Sequence, residues 1–247
     1  MKAGWIAADW GAPPSVRALC TTRAGGTSAG SYASLNLGAH VGDNPTAVAE
    51  NRARLARTVG LPSPPRWLHQ VHGTTVVDID AVARGGVPSA DAAVTRTVGA
   101  VLAVLTADCL PVTLAACDGS VIGIAHAGWR GLAGGVIEAT LAAMAIPSRD
   151  LLAWLGPCIG PRHYEVGGEV RAAFAGSPGE AEGFHPCARA GHWLCDLAGL
   201  ARARLRAAGL NAIAGGERDT FPSPEDFYSF RRDGATGRMA SLIWLKP

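Results

Sequence analysis

Cys109-Leu110-Pro111-Val112-Thr113-Leu114-Ala115-Ala116-Cys117-Asp118-Gly119-Ser120-Val121-Ile122-Gly123-Ile124-Ala125-His126 reads as a tight β-hairpin. Asp-Gly between two apolar, partly β-branched runs is a strong short-range hairpin signal, because both turn residues tolerate positive φ. A two-residue loop pairs position 117 with 120, so residue 111 faces His126 and Cys109 lies two residues further along the same face. Diagonal neighbours of this kind sit roughly 7–8 Å apart at Cα, closer at the side-chain tips. A zinc ion, with bonds of about 2.3 Å to sulfur and about 2.0 Å to imidazole nitrogen, fits between them. A lone cysteine is commonly an inert thiol, and a strand-end histidine commonly meets the backbone. Their shared face sets this pair apart. Cys117 has the same parity but lies nearer the turn, and is read as packing.

Working outward, the rest of the chain supplies a scaffold. Its 247 residues are 48% hydrophobic and 17% charged, a globular composition long enough for one large α/β domain. A net charge of +2, without a basic run, gives no case for nucleic acid or an anionic membrane. The longest apolar run, Val98 to Leu105, is far short of a membrane span. Asp9 interrupts the amino-terminal stretch that a signal peptide would need. Six cysteines without a CxxC pair point to reduced thiols and a cytoplasmic protein, not a zinc ribbon.

No repeat or linker divides residues 1–247, so a single domain is expected. Ser15 to Thr22 reads as an early strand. Asn44 with Pro45 opens a helix over 45–59 that Gly60 stops. Thr74 to Ile79 and Ala100 to Leu105 read as strands, and the hairpin follows. Beyond it come a helix over 135–144, a strand at Leu151 to Leu155, and helices near 167–175 and 196–208. A final hairpin is expected to pair Asp226–Arg231 with Arg238–Leu245. Strands occurring both as hairpins and between helices predict a mixed α/β (α+β) sheet sandwich with helices packed outside.

A catalytic zinc usually takes three protein ligands and leaves a fourth position open. His69 and His72 stand closest upstream of the hairpin. Positions three apart on an extended segment face oppositely, so at most one joins the pair, and spacing does not choose between them. The Gly128–Gly135 stretch opens a helix and could hold phosphate on backbone N–H groups, although it matches no phosphate-loop pattern. Close packing of a helix start on the sheet explains it equally well. Arg23, Arg130, Arg231 and Arg232 could neutralise an anionic substrate.

Several motifs together resemble the laccase-domain, or YfiH-like, family. They are His-Gln-Val-His-Gly at 69–73, Leu-Thr-Ala-Asp-Cys-Leu-Pro at 105–111 and Ala-His-Ala-Gly-Trp-Arg-Gly at 125–131. Thr22-Arg-Ala-Gly-Gly26, Ser34-Leu-Asn-Leu-Gly38, His40-Val-Gly-Asp43, Gly156-Pro-Cys-Ile-Gly-Pro161 and Tyr228-Ser-Phe-Arg-Arg232 accompany them in order. The resemblance implies a catalytic zinc held by His72, Cys109 and His126, with copper as the alternative metal. It implies a sandwich similar to that of glutamine-deamidating bacterial toxins. It also implies purine nucleoside phosphorylase activity, with adenosine deamination and methylthioadenosine cleavage beside it. The partners would then be a small purine nucleoside and phosphate; no protein partner is evident.

Within that expectation, Asp108 is a candidate proton shuttle, although neighbours on a strand point oppositely. Arg23, Arg231 and the Gly128–Gly135 loop are candidates for phosphate, and Asn36 for the nucleoside. Two other chemistries stay open. One is a copper-dependent polyphenol oxidase, for which a single mixed N/S site and the lack of HxH pairs are poor equipment. The other is a metal-free cysteine hydrolase with Cys109 as nucleophile and His126 as base.

Overall fold

The protein is described here by a computed structural model covering residues 4–82 and 85–247. Asp118–Gly119 turns the expected hairpin: Leu110–Ala116 pairs antiparallel with Ile122–Ala127, Leu110 opposite Ala127 and Pro111 opposite His126. Gly119 has φ +75°, and the Asp118 carboxylate accepts from the Ser120 N–H, so the turn residues do what the sequence asks of them. Both strands are buried along their whole length, and they form the centre of a six-stranded mixed sheet. Its order is Ala212–Gly215, Leu151–Leu155, Leu110–Ala116, Ile122–Ala127, Ala92–Thr95, Val76–Asp78. The two outermost pairings are parallel and the inner ones antiparallel.

A second, antiparallel sheet runs Trp5–Ala7, Val16–Thr21, Met239–Leu245, Val101–Thr106. The faces alternate as a pleat requires. Ala115, Ile122 and Ile124 meet Ala18, Leu102, Val104 and Ile243 between the two sheets. Leu110, Val112, Leu114 and Ala125 instead meet the helices Val136–Met144 and Leu197–Ala207. On the far side, Leu19, Leu37, Leu242 and Trp244 pack with Leu55 of the helix Pro45–Val59. The result is a four-layer sandwich, helix, sheet, sheet, helix, which is the mixed α/β (α+β) class expected. A small sheet of Phe184–Pro186, His192–Cys195 and Glu165–Gly167 adjoins it.

Local signals explain the boundaries. The Asn44 side chain accepts from the Thr46 N–H at 2.8 Å, Pro45 occupies the first turn, and Gly60 closes the helix at φ +68°.

The expected final hairpin does not form. Met239–Leu245 pairs with Val16–Thr21 and Val101–Thr106 instead, and residues Phe230–Asp233 make a helical turn capped by Ser229. Gly237 packs flat on the Tyr228 ring, where an added Cβ would lie 2.5 Å from the ring, so the chain returns as a loop. The Gly128–Gly135 stretch is not a loop: Trp129–Gly134 is a short helix, separated from Val136–Met144 by Gly135 at φ +97°. Cys117, expected to pack, is exposed.

Candidate metal centre

Parity carries Cys109 and His126 to the inter-sheet side at one end of the sandwich, where the hairpin strands open. His126, the penultimate residue of its strand, is almost fully buried. Its N–H donates to the Asp91 carbonyl at 2.7 Å, and its Nδ1 lies 2.8 Å from Asp91 Oδ1. A carboxylate can only accept, so it assigns the ring proton to Nδ1 and leaves Nε2 as a lone-pair donor aimed outward.

Asp91 does more than orient one ring. Fully buried, it also accepts the N–H groups of Val71, His72 and Gly73 at 3.1, 3.0 and 2.7 Å. Burial alone would raise its pKa, but His126 and the backbone donors outweigh it and hold the carboxyl below its ordinary value. This cradle bends residues 71–73 and keeps His72 at φ +61°, a left-handed conformation that a histidine adopts at a cost. Gln70 secures the other side, its amide exchanging hydrogen bonds of 2.8 Å with both backbone groups of Leu105.

The third donor, Cys109, follows Asp108, another left-handed residue at φ +89°. Its Sγ lies 4.0 Å from His72 Nε2, and the two imidazoles meet edge-on with ring centres 4.8 Å apart. One donor atom each from His72, Cys109 and His126 fall within 4.8 Å of one another. His69 stands apart, its Nδ1 3.0 Å from the Ser89 hydroxyl.

Burial would raise the Cys109 thiol, but the adjoining His126 and His72 bring it down to about 6. Burial would lower His126, but the Cys109 thiolate and Asp91 raise it to about 9. These shifts describe one coupled pair, thiolate beside imidazolium, whose Nε2 proton would give way to a bound metal ion.

The donor set fits a soft divalent ion. A tetrahedral ion with bonds of about 2.0–2.3 Å holds its ligand atoms roughly 3.5 Å apart, so small side-chain rotations close the triad on one ion. Gly128 makes room for it. An added Cβ there would stand 2.9 Å from Cys109 Sγ and 3.1 Å from His72 Cδ2, although φ −64° suits any residue. His72 is exposed and Cys109 half-buried, so the triad opens to solvent on one side.

The remaining sequence candidates divide. Arg23 is committed to the Ala33 and Pro224 carbonyls and stacks on Tyr228. Asn36 is fully buried: its amide nitrogen donates to Gly38 and Asp43, and its oxygen accepts from the Gly38 and Arg238 N–H groups. It fixes the loop and has no surface left for a nucleoside. Asp108 accepts the Thr220 hydroxyl and the Arg231 N–H at 2.7 Å each, so both oxygens are already engaged. Arg231 donates to the Glu165 carbonyl and lies over Tyr164, and Arg232 is spent on the Thr220, Phe221 and Phe227 carbonyls. Arg130 is exposed above the Trp129 ring, two residues after Gly128.

Sequence reasoning passed over Asp91, Gln70 and Arg238. An aspartate amid three alanines, Ala90, Ala92 and Ala93, at the mouth of a buried strand was the available signal for Asp91. A cavity of about 780 Å³ lined by Pro62–Trp67, Ile79 and Thr97–Ala100 does not include the triad.

Fold and site define a class of protein: a four-layer sandwich with a His₂Cys centre where the central hairpin opens. The chain belongs to the family described as multi-copper polyphenol oxidoreductase laccase, which matches residues 17–246. It is 50% identical over 243 residues to a Pseudomonas aeruginosa protein named purine nucleoside phosphorylase, covering 98% of each chain. Purine nucleoside phosphorylase YfiH of Escherichia coli is 48% identical over 240 residues, covering 97% of this chain and 98% of that one. The Neisseria meningitidis protein NMB0706 superposes with a TM-score of 0.94 at 48% identity, covering 99% of this chain and all of that one. YlmD from Geobacillus stearothermophilus superposes with a TM-score of 0.91 at 34% identity, covering all of this chain and 98% of that one.

Proposed function

We propose that this protein is a zinc-dependent purine nucleoside phosphorylase that also deaminates adenosine and cleaves methylthioadenosine, with His72, Cys109 and His126 as its metal ligands. The observation that carries the reading is the convergence of two imidazoles and an acidified thiol within 4.8 Å at a solvent-open edge. The name borne by relatives of about half identity over nearly their whole length supports the substrate class.

A bound zinc ion would supply a Lewis acid beside the substrate. The chain's own residues prepare that position. Asp91 fixes the His126 tautomer, Cys109 lies ready as a thiolate, and Gly128 keeps the space between Cys109 and His72 clear. In phosphorolysis a phosphate oxygen bonds to C1′ while the C1′–N9 bond breaks and its electrons leave with the purine. The protein's task is therefore to hold an anion against the ribose. In deamination water adds at C6 and ammonia departs.

The family's description favours a second reading, copper-dependent oxidation of phenols. One His₂Cys group gathers one ion, whereas four-electron oxygen reduction draws on several, so this ranks second. The thiolate–imidazolium pair favours a third, a metal-free cysteine hydrolase, which predicts activity indifferent to chelators. A cytoplasmic setting is part of the proposal: all six cysteines are unpaired, and no helix among the described residues is long and apolar enough to cross a membrane.

The test is incubation of the zinc-loaded protein with adenosine, with and without phosphate, and separation of inosine, adenine and hypoxanthine. Phosphate-dependent adenine, with zinc and turnover both lost in Cys109→Ala, is expected. Full turnover by a metal-free Cys109→Ala protein would sink the proposal.

A further inference from the structure

The phosphorylase reading demands a place for phosphate, yet the arginines the sequence offered for it, Arg23 and Arg231, donate to backbone carbonyls. A different group of cations stands at the triad. Met239 pairs with Thr106, so the next residues outward, Arg238 and Ala107, lie side by side one step from Asp108 and two from Cys109. Arg238 is half-buried, and Cys109, Asp108 and Tyr32 act electrostatically on its guanidinium. Its Nη1 donates to the Thr236 and Gly237 carbonyls at 2.8 and 3.0 Å, which fixes the fork and leaves its other edge uncommitted to those carbonyls.

His40 comes from the neighbouring loop. Asn36 Oδ1 binds the N–H of both Gly38 and Arg238, the Leu37 N–H donates to the Arg238 carbonyl, and Gly38 lies directly against the Arg238 side chain. The loop that carries His40 is thus tied to Arg238 by its backbone. The groups that act electrostatically on His40 are Arg238, Arg52 and His69. Burial and then these cations hold its imidazole below the ordinary value. Arg52 is itself anchored on the Leu37 carbonyl and stacked on Trp67, and His69 on Ser89, so none of the group can swing away at no cost. The nearest carboxylates of the two loops are engaged elsewhere, Asp43 with Ser28 and Asn36, and Asp108 with Thr220 and Arg231. Two arginines and two imidazoles, held by their own backbone and ring contacts on one side of a reactive centre, offer an anion both positive charge and hydrogen-bond donors.

We propose that Arg238 and His40, flanked by Arg52 and His69, form an oxyanion subsite beside the His72–Cys109–His126 triad that binds the attacking inorganic phosphate. This rests on the phosphorylase reading for its role but not for its existence. Arginine supplies a planar pair of donors matched to phosphate, and His40 approaches from the loop side.

Calorimetric titration of the zinc-loaded protein with inorganic phosphate tests the subsite, alongside the phosphate KM for inosine cleavage. Arg238→Gln is expected to weaken phosphate binding on the order of 10- to 100-fold, and His40→Gln about threefold or more, with zinc content unchanged. Unaltered phosphate affinity in either folded, zinc-loaded variant overturns the assignment. His40 is exposed, so His40→Gln decides the matter if Arg238→Gln does not fold. A parallel titration with adenosine 5′-monophosphate separates the two sources of a phosphoryl group: tighter, Arg238-dependent binding of the nucleotide without binding of free phosphate refutes a cosubstrate site. A wild type that binds phosphate through these residues yet cleaves no nucleoside would remove the phosphorylase reading and leave the subsite standing.

Discussion

Asp91→Asn is the sharpest perturbation of the centre, because it preserves shape and removes only charge and acceptor capacity. In the wild type Oδ1 takes the His72 N–H and the His126 Nδ1 proton, while Oδ2 takes the Val71 and Gly73 N–H groups. An asparagine in either flip turns an NH₂ toward two of these four donors. Two donors lose their acceptors at about 1–3 kcal/mol each, so the loss of stability is about 2–6 kcal/mol. The wild-type contribution is pH-dependent with a definite sign. Because the folded carboxyl is held below its ordinary value, its stabilisation is complete above that value and is lost as pH falls through the depressed one. The gap in stability between wild type and variant therefore narrows on acidification. Without the carboxylate to fix His126, zinc affinity should fall about 10- to 100-fold. Denaturant melts across pH, with zinc competition against a chromophoric chelator at pH 7, measure both. Zinc affinity within twofold of the wild type in a folded Asp91→Asn protein would refute the claim that this carboxylate sets up the site.

Gly128→Ala should leave the melting temperature nearly unchanged, since φ −64° suits alanine, yet lower zinc affinity at least tenfold by crowding Cys109 Sγ and His72 Cδ2; equilibrium dialysis against zinc reads this. Asn36→Ala should cost about 2–4 kcal/mol, from two backbone N–H groups left without their acceptor, while any folded fraction keeps the nucleoside KM of the wild type. A KM raised without loss of stability would restore Asn36 as a substrate residue.

The central hairpin was legible because its information is local: an Asp-Gly turn and a two-residue period fix the register, and with it the shared face of Cys109 and His126. The mixed sheet with outer helices followed from the same periodicity. The third ligand was not legible from the residues alone, because His72 sits on an irregular segment whose bend is imposed by Asp91 from a distant strand. Asn36 misled for a related reason. A polar residue in a glycine-containing motif looks available, and only the packed loop shows every polar atom spent. The final hairpin failed because Asp233-Gly234 ends a helical turn, and the strand after it finds partners far away in sequence.

That last strand has a consequence for the order in which the molecule can be made. Met239–Leu245 is not an edge but the middle of its sheet, joining Val16–Thr21 to Val101–Thr106. The Ala240 N–H donates to the Thr21 hydroxyl across 219 residues of chain. During synthesis the early strands therefore wait, unpaired on one side, until the closing strand has left the ribosome. Arg238, at the head of that strand, arrives with it. The hairpin bearing Cys109 and His126 can form early from its own turn, but the cationic wall beside it is laid down last, so the nascent chain carries the makings of a metal centre well before it can hold the proposed anion.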